Sequence, residues 1–306
     1  MLGVLEGFCV IGVIIAVGYL VARLNIFDKN SAFLLNRFAF FVAMPPLMFV
    51  VLARADLSSI FSARLPVAIG SFLAVVLLYL LLVGVVMGRR SGRLIMGATG
   101  AGMINVNNIG LPVATYIFAD ASQVAPILLF QLVFLNPPLL AIMGLISQGS
   151  FTLGSLVRQP LANPLVWGAM LGLAVNAWKI PLPQLVFEPL DIIAGAAVPL
   201  VLISFGMSLK GSKPLTLAGQ RLETILAVFF KLALMPLAAY LLGRFVFGLS
   251  PNDLVAATVL AGLPTAQNLY NFASRYGQAT VLSRDIVMLS TLAALPSMLL
   301  VSYLLR

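Results

Sequence analysis

The chain reads as long apolar runs broken by short polar punctuation. Runs bounded by charges or by Pro and Gly clusters cover residues 4–24, 31–52, 65–87, 92–119, 124–146, 163–178, 188–209, 222–247, 252–274 and 285–305. A helix uses ~20 mainly apolar residues to cross the hydrocarbon layer, and backbone inside a bilayer must satisfy its own hydrogen bonds. The pattern therefore predicts an all-α membrane protein with ten transmembrane helices, leaving no room for a sizeable soluble domain. The first run has no basic segment ahead of it and continues for about 20 residues, so it reads as a retained helix rather than a signal peptide.

Composition strengthens this reading. Hydrophobic residues make up 61% of the 306 and charged residues 9%, where a soluble domain carries roughly 25% charged residues. The net charge of +9 does not indicate nucleic acid, because Lys and Arg fall in short clusters between apolar runs, with no basic helix or aromatic-interleaved patch. The partner implied is the lipid bilayer. Cys9 stands alone and can form neither an internal disulfide nor a thiolate metal cage.

The basic clusters also orient the chain. Segments after odd-numbered runs hold Arg23, Lys29, Arg89, Arg90, Arg93, Arg158, Lys210, Lys213, Arg221, Arg275 and Arg284, eleven in all, against Arg54, Arg64, Lys179 and Arg306 on the other side. This asymmetry puts the odd loops in the cytoplasm and both termini outside it, in a cell inner (cytoplasmic) membrane.

The two halves resemble each other. Ala43-Met-Pro-Pro-Leu in the second run answers Ala197-Val-Pro-Leu in the seventh; Asn105-Val-Asn-Asn-Ile-Gly-Leu-Pro112 in the fourth answers Gly262-Leu-Pro-Thr-Ala-Gln-Asn268 in the ninth. Pro45 and Pro199 lie 154 positions apart and Pro112 and Pro264 lie 152 apart, so one offset serves both pairs. Residues 1–150 and 160–306 then form two repeats of five helices, and the odd number inverts the second copy, as in many secondary transporters. Taken singly, each proline could equally mark a kink or a tight helix contact.

Pro112 lacks an amide hydrogen and crowds the carbonyl four residues back, while Gly110, Asn105, Asn107 and Asn108 weaken helix propagation beside it. The fourth span is expected to break there. Gly262, Pro264, Thr265, Gln267 and Asn268 repeat the situation in the ninth. A break at mid-membrane depth survives only if buried in protein or lining a polar cavity. Two crossing breaks would bring together half-helix N-termini, whose unpaired N–H groups and partial positive charge suit a carboxylate. The Asn and Gln amides either contact that substrate or satisfy the broken backbone.

Lys231 lies nine residues inside the eighth span, ~13 Å along it, where an ammonium needs a partner. It neutralises an anionic substrate, changes protonation during transport, or donates to carbonyls freed by the breaks. Gln131, in an apolar stretch of the fifth span, either packs between helices or faces substrate. Asp191 is expected to cap the seventh helix, and Arg37 and Arg244 to snorkel from span ends. The centres of spans four and nine hold no Asp or Glu, so ordinary cation or proton exchange is disfavoured. With no histidine, Cys pair, acidic metal cluster or phosphate loop, the sequence offers an enzyme no site and implies no cofactor or metal.

These motifs resemble the auxin efflux carrier family, which includes plant PIN carriers and bacterial malate and malonate permeases. The likeness rests on Asn36-Arg-Phe and Met44-Pro45-Pro46-Leu47, on Asn105 followed by Ile109-Gly-Leu-Pro112, on Lys231 followed by Met235-Pro236, and on Pro264-Thr-Ala-Gln-Asn268 through Ala273-Ser-Arg-Tyr-Gly277. It implies ten helices in a fold similar to sodium/proton antiporters and bile-acid symporters. Spans 1, 2, 6 and 7 would form a scaffold and spans 3–5 and 8–10 a transport part, with elevator motion and a homodimer. It further implies that Asn105 and the segment after Pro264 hold a substrate carboxylate, with Gln131 lining the pocket. Ile104 stands where plant carriers have proline, and only about 16 residues join spans 5 and 6, departures that separate the chain from indole-acid carriers. The expectation is a carrier of a small organic anion; the alternative is a sodium- or proton-coupled symporter of related fold for another solute. Candidate binding residues are Pro45, Asn105, Asn107, Asn108, Gly110, Pro112, Gln131, Pro199, Pro264, Thr265, Gln267 and Asn268, with Lys231 compensating charge.

Overall fold

A computed structural model describes residues 2–28, 30–55, 64–89, 92–118, 121–148, 154–211 and 215–305. Lys29, Arg90, Lys213 and Arg306, which enter the charge count above, lie outside the described residues. The described residues are helical throughout apart from turns and one isolated antiparallel bridge. Six helices are long and apolar enough to cross a bilayer: Ser31–Arg54, Arg64–Val86, Ala121–Ser147, Gln184–Ser208, Ala218–Val246 and Thr280–Val301. Leu2–Arg23 and Pro164–Ala177 are also apolar, and a short helix, Gly154–Leu161, sits between the fifth and sixth runs.

Four of the long runs contain one wide π turn ending two residues before a proline. Ala39–Ala43 precedes Pro45, Val106–Gly110 precedes Pro112, Gln131–Leu135 precedes Pro137, and Phe230–Leu234 precedes Pro236. Proline cannot donate to the helix ladder and its ring collides with the carbonyl four residues back; a turn widened by one residue moves that carbonyl aside. Pro199 has no such turn and lies inside the continuous helix Gln184–Ser208, so Pro45 and Pro199 share an offset but not a local geometry.

The chain divides into two compact units. The first comprises Met1–Phe61, Leu111–Phe134 and Leu156–Ser212; the second comprises Ser62–Gly110, Leu135–Ser155 and Lys213–Arg306.

In the first unit, helices approach through glycine. A side chain on Gly18 would strike the Ile203 carbonyl, and one on Gly206 the Ile15 carbonyl, so Leu2–Arg23 and Gln184–Ser208 pack backbone to backbone. Gly168 sits on the Pro45 carbonyl and Gly172 on that of Phe49, joining Pro164–Ala177 to Met44–Arg54 in the same way. Small residues at such contacts compensate for the weak hydrophobic drive between helices in lipid. The Asn176 amide donates to the carbonyls of Leu52 (2.8 Å) and Ala55 (2.7 Å), closing the open end of a neighbouring helix. Asp191 does not cap its helix: Gln184–Ser208 starts seven residues earlier, and Asp191 instead pairs with Arg54 at 3.6 Å. Arg37 lies 5.9 Å from the Phe41 ring, and Arg244, in the second unit, is exposed.

In the second unit, Glu223 is buried and ties three helices together. It accepts from Arg93 at 2.8 Å and Arg89 at 3.0 Å, while its carbonyl takes the Tyr79 hydroxyl at 3.1 Å. Asp285 is likewise enclosed, paired with Arg284 at 2.8 Å and receiving the Leu215 N–H at 2.9 Å.

Candidate functional site: a crossover of two interrupted helices

Two helices of the second unit stop halfway. Gly92–Gly102 ends in the glycine-rich stretch Gly97-Ala-Thr-Gly-Ala-Gly102, and the chain passes through Met103–Asn105 before the π turn Val106–Gly110 begins. Pro251–Ala261 ends at Gly262, and helix resumes only at Asn268–Tyr276. That second half-helix closes at Gly277, whose φ of +61° suits a residue without Cβ.

The two interruptions pair with each other. Ile104 and Thr265 form an antiparallel bridge, with the Asn105 N–H donating to the Pro264 carbonyl at 2.8 Å and the Ala266 N–H to that of Met103 at 3.3 Å. Backbone freed by each break thus finds its partner in the other, as a break among buried helices requires.

Side chains complete the arrangement. Asn105 folds back, its Oδ1 accepting the Asn108 N–H at 3.1 Å and its carbonyl the Gly110 N–H at 2.8 Å. Asn108 Nδ2 donates to Gln267 Oε1 at 3.0 Å, linking the turn after one break to the residue that opens the half-helix after the other. Thr265 is fully buried; its hydroxyl donates to the Gly100 carbonyl at 2.7 Å and its N–H to Ser290 Oγ at 3.1 Å. Lys231, also fully buried, donates to the Ala261 carbonyl at 2.5 Å and lies 3.1 Å from Met235 Sδ. Of the three roles open to Lys231, this geometry realises donation to a freed carbonyl.

Some polar groups at the crossover remain unspent. The backbone N–H groups of Asn107, Gln267 and Asn268 find no acceptor among the described residues, nor does the buried Oδ1 of Asn107 find a donor. Asn107, Gln267 and Asn268 are half-buried, whereas Asn105 and Asn108 are buried. Free donors at the N-terminus of Asn268–Tyr276, beside amides of both signs, match the hydrogen-bonding needs of a small carboxylate.

The structure moves one expected feature. The fourth span breaks at Met103–Asn105, not at Pro112, which is the second residue of helix Leu111–Ile117. The π turn Val106–Gly110 runs straight into that helix, and its widened ladder moves aside the carbonyl that the Pro112 ring would strike. Pro264 does lie within its break. Of the candidate residues, Asn105, Asn107, Asn108, Gly110, Lys231, Pro264, Thr265, Gln267 and Asn268 fall in the second unit, and Pro45, Pro112, Gln131 and Pro199 in the first. Gln131 is buried at the start of its π turn. Ser290, which holds Thr265, was not anticipated; its signal is only a hydroxyl in the apolar run Ile286-Val-Met-Leu-Ser290. The carbonyls of Gly100 and Ala261 carry no sequence signal at all.

Comparison with known proteins places the chain. A profile of the membrane transport protein family matches residues 4–146 and 150–302. The chain is 31% identical over 214 residues to an uncharacterized transporter of Methanothermobacter thermautotrophicus, covering 65% of each protein. It is 30% identical over 146 residues to a probable auxin efflux carrier component 5b of Oryza sativa subsp. japonica, covering 46% of this chain and 39% of the rice protein. It is 24% identical over 305 residues to a putative malonate transporter of Rhizobium meliloti, covering 96% and 93%. The matches to the first two span less than two thirds of those relatives' lengths. The chain therefore belongs to the membrane transport protein family, the auxin efflux carrier family whose motifs it carries, and is a multi-pass membrane transport protein rather than an enzyme.

Proposed function

We propose that the protein carries a small organic anion, a mono- or dicarboxylate, across the inner membrane, and that the crossover of residues 103–108 with 264–268 holds the carboxylate. The observation carrying this reading is the paired interruption itself: two breaks satisfy each other's backbone and leave the N–H groups of Asn107, Gln267 and Asn268 without acceptors among the described residues. Asn105 and Asn108 position the turn, Gln267 and Asn268 contact the substrate, and Thr265 locks the loop. The relative named as a putative malonate transporter, aligned over almost the whole chain, supports a dicarboxylate of about that size.

The transporter has ten spans in two inverted five-helix repeats. Support comes from the first unit, where Gly18 rests on Ile203 and Gly172 on Phe49. Moving either contact by the 154 positions that separate Pro45 from Pro199 produces the other, with glycine and carbonyl exchanged between repeats. Spans 3–5 and 8–10 form the moving part of an elevator, and spans 1, 2, 6 and 7 the anchored scaffold of a homodimer. Both termini lie outside the cytoplasm, as the basic loops require. An inside-negative potential of 100 mV drives a monoanion outward by ~2.3 kcal/mol, so efflux needs no coupling ion.

The test is counterflow in proteoliposomes loaded with unlabelled malonate, succinate, lactate or a neutral amide control. Labelled malonate should accumulate only against carboxylates and more slowly in Asn268→Ala. Equal exchange in protein-free liposomes, or none against any carboxylate, refutes the assignment.

A further inference from the structure

Lys231 has a second property that carbonyl capping does not require. The second unit contains three acidic residues in all, Glu223, Asp253 and Asp285, and each is engaged elsewhere. Glu223 holds Arg89 and Arg93, Asp253 lies 3.6 Å from Arg64 and accepts the Ser250 hydroxyl, and Asp285 holds Arg284. A fully buried ammonium thus rests on a backbone carbonyl and a thioether, with no carboxylate among the described residues paired with it.

That carbonyl belongs to Ala261, the last residue of the half-helix Pro251–Ala261. Helix C-termini carry partial negative charge, and in transporters with interrupted helices such ends and unwound carbonyls coordinate the coupling cation. The other half-helix end at the crossover is closed by a neutral group, since the Gly100 carbonyl takes the Thr265 hydroxyl. Among the described residues, the cationic donor is found at the Ala261 end.

We infer that the Lys231 ammonium is a tethered cation occupying the place at the Ala261 half-helix end that a mobile alkali cation would otherwise fill, so the crossover is assembled and charge-compensated without sodium. The geometry is independent of the transport reading; the consequence for coupling rests on it. The lysine stem enters from the π turn Phe230–Leu234, where the widened ladder rotates the side chain relative to a regular helix. An aminoalkyl stem delivers one positive charge to a fixed point, which a diffusible ion does only at sufficient concentration.

The experiment follows unfolding midpoints of purified wild type, Lys231→Ala and Lys231→Met in sodium chloride, lithium chloride, propylammonium chloride and N-methylglucamine chloride at constant ionic strength. Wild type should be indifferent to the cation. Lys231→Ala, which opens the site, should unfold several degrees lower in N-methylglucamine and recover dose-dependently with propylammonium or sodium, while Lys231→Met, which fills the space without charge, should be low and unresponsive. Should Lys231→Ala not fold, the carboxylate-induced shift of wild type decides: equal shifts in sodium and N-methylglucamine support the inference, and a shift that requires sodium overturns it. A Lys231→Met protein as stable as wild type, or a Lys231→Ala protein no more cation-responsive than wild type, also overturns it. If no carboxylate shifts the wild type, the transport reading falls, whereas the cation response of Lys231→Ala still decides this inference.

Discussion

Asn108 Nδ2 and Gln267 Oε1 lie 3.0 Å apart, a hydrogen bond between side chains 159 positions distant in sequence. It fixes both rotamers and engages the Gln267 oxygen, which turns the Gln267 NH2 group, a donor only, to the other side. An amide locked in this sense favours an anionic ligand.

Removing either partner should therefore have a measurable cost in folding as well as in binding. Asn108→Ala and Gln267→Ala are each expected to lose about 1 kcal/mol, and the double variant less than the sum, with a coupling of ~0.5–1.5 kcal/mol. Denaturant unfolding in detergent micelles measures the cycle. Strict additivity would mean the bond contributes nothing.

Thr265 offers a cleaner contrast, because its hydroxyl is enclosed and committed to Gly100. Thr265→Val keeps the volume but strands a buried carbonyl, so a loss of ~1–3 kcal/mol is expected. Thr265→Ser, which retains the hydroxyl, should keep more than half of that stability. Equal losses would assign the residue to packing alone.

The glycine contacts of the first unit predict matched failures. Gly18→Val and Gly172→Val each press Cβ into a backbone carbonyl, of Ile203 and of Phe49 respectively, at an expected cost of at least ~1–3 kcal/mol each. Size-exclusion profiles and unfolding midpoints should fall together for both, and Gly12→Val, which meets open space, should resemble wild type.

Glu223 is the one carboxylate shared by Arg89 and Arg93. Glu223→Ala leaves both guanidinium groups without their acid and is expected to cost ~3 kcal/mol, the lower end for breaking a buried pair because Arg89 is half-exposed. Glu223→Gln should recover part of this through its remaining oxygen. Thermal unfolding distinguishes the three proteins.

Much of this architecture is legible in the chain. Apolar runs located the six long apolar helices to within a few residues, because span length is set by the bilayer and not by contacts. The interruptions at residues 105–112 and 262–268 were legible as regions, through Gly, Pro and Asn. Their exact positions were not. The first break stops at Met103–Asn105 because Asn105 pairs with Pro264 far along the chain, and local propensity is blind to such a partner. Pro112, the strongest local breaker, is harmless once the π turn Val106–Gly110 precedes it. Asp191 misled because it stands near the start of the apolar run 188–209, whereas the helix begins at Gln184 and runs on through Pro189 and Pro199. The roles of Ser290 and of the Gly100 and Ala261 carbonyls arise wholly from tertiary placement.

The most direct test of the crossover as a carboxylate site is calorimetric titration of a mono- and dicarboxylate panel into purified wild type and Asn268→Ala. At least one carboxylate should bind wild type saturably, and Asn268→Ala should bind it roughly tenfold or more weakly, the value of one hydrogen bond to a charged group, with an unchanged unfolding midpoint. Absence of binding across the panel, or equal affinity in the two proteins, would contradict the account.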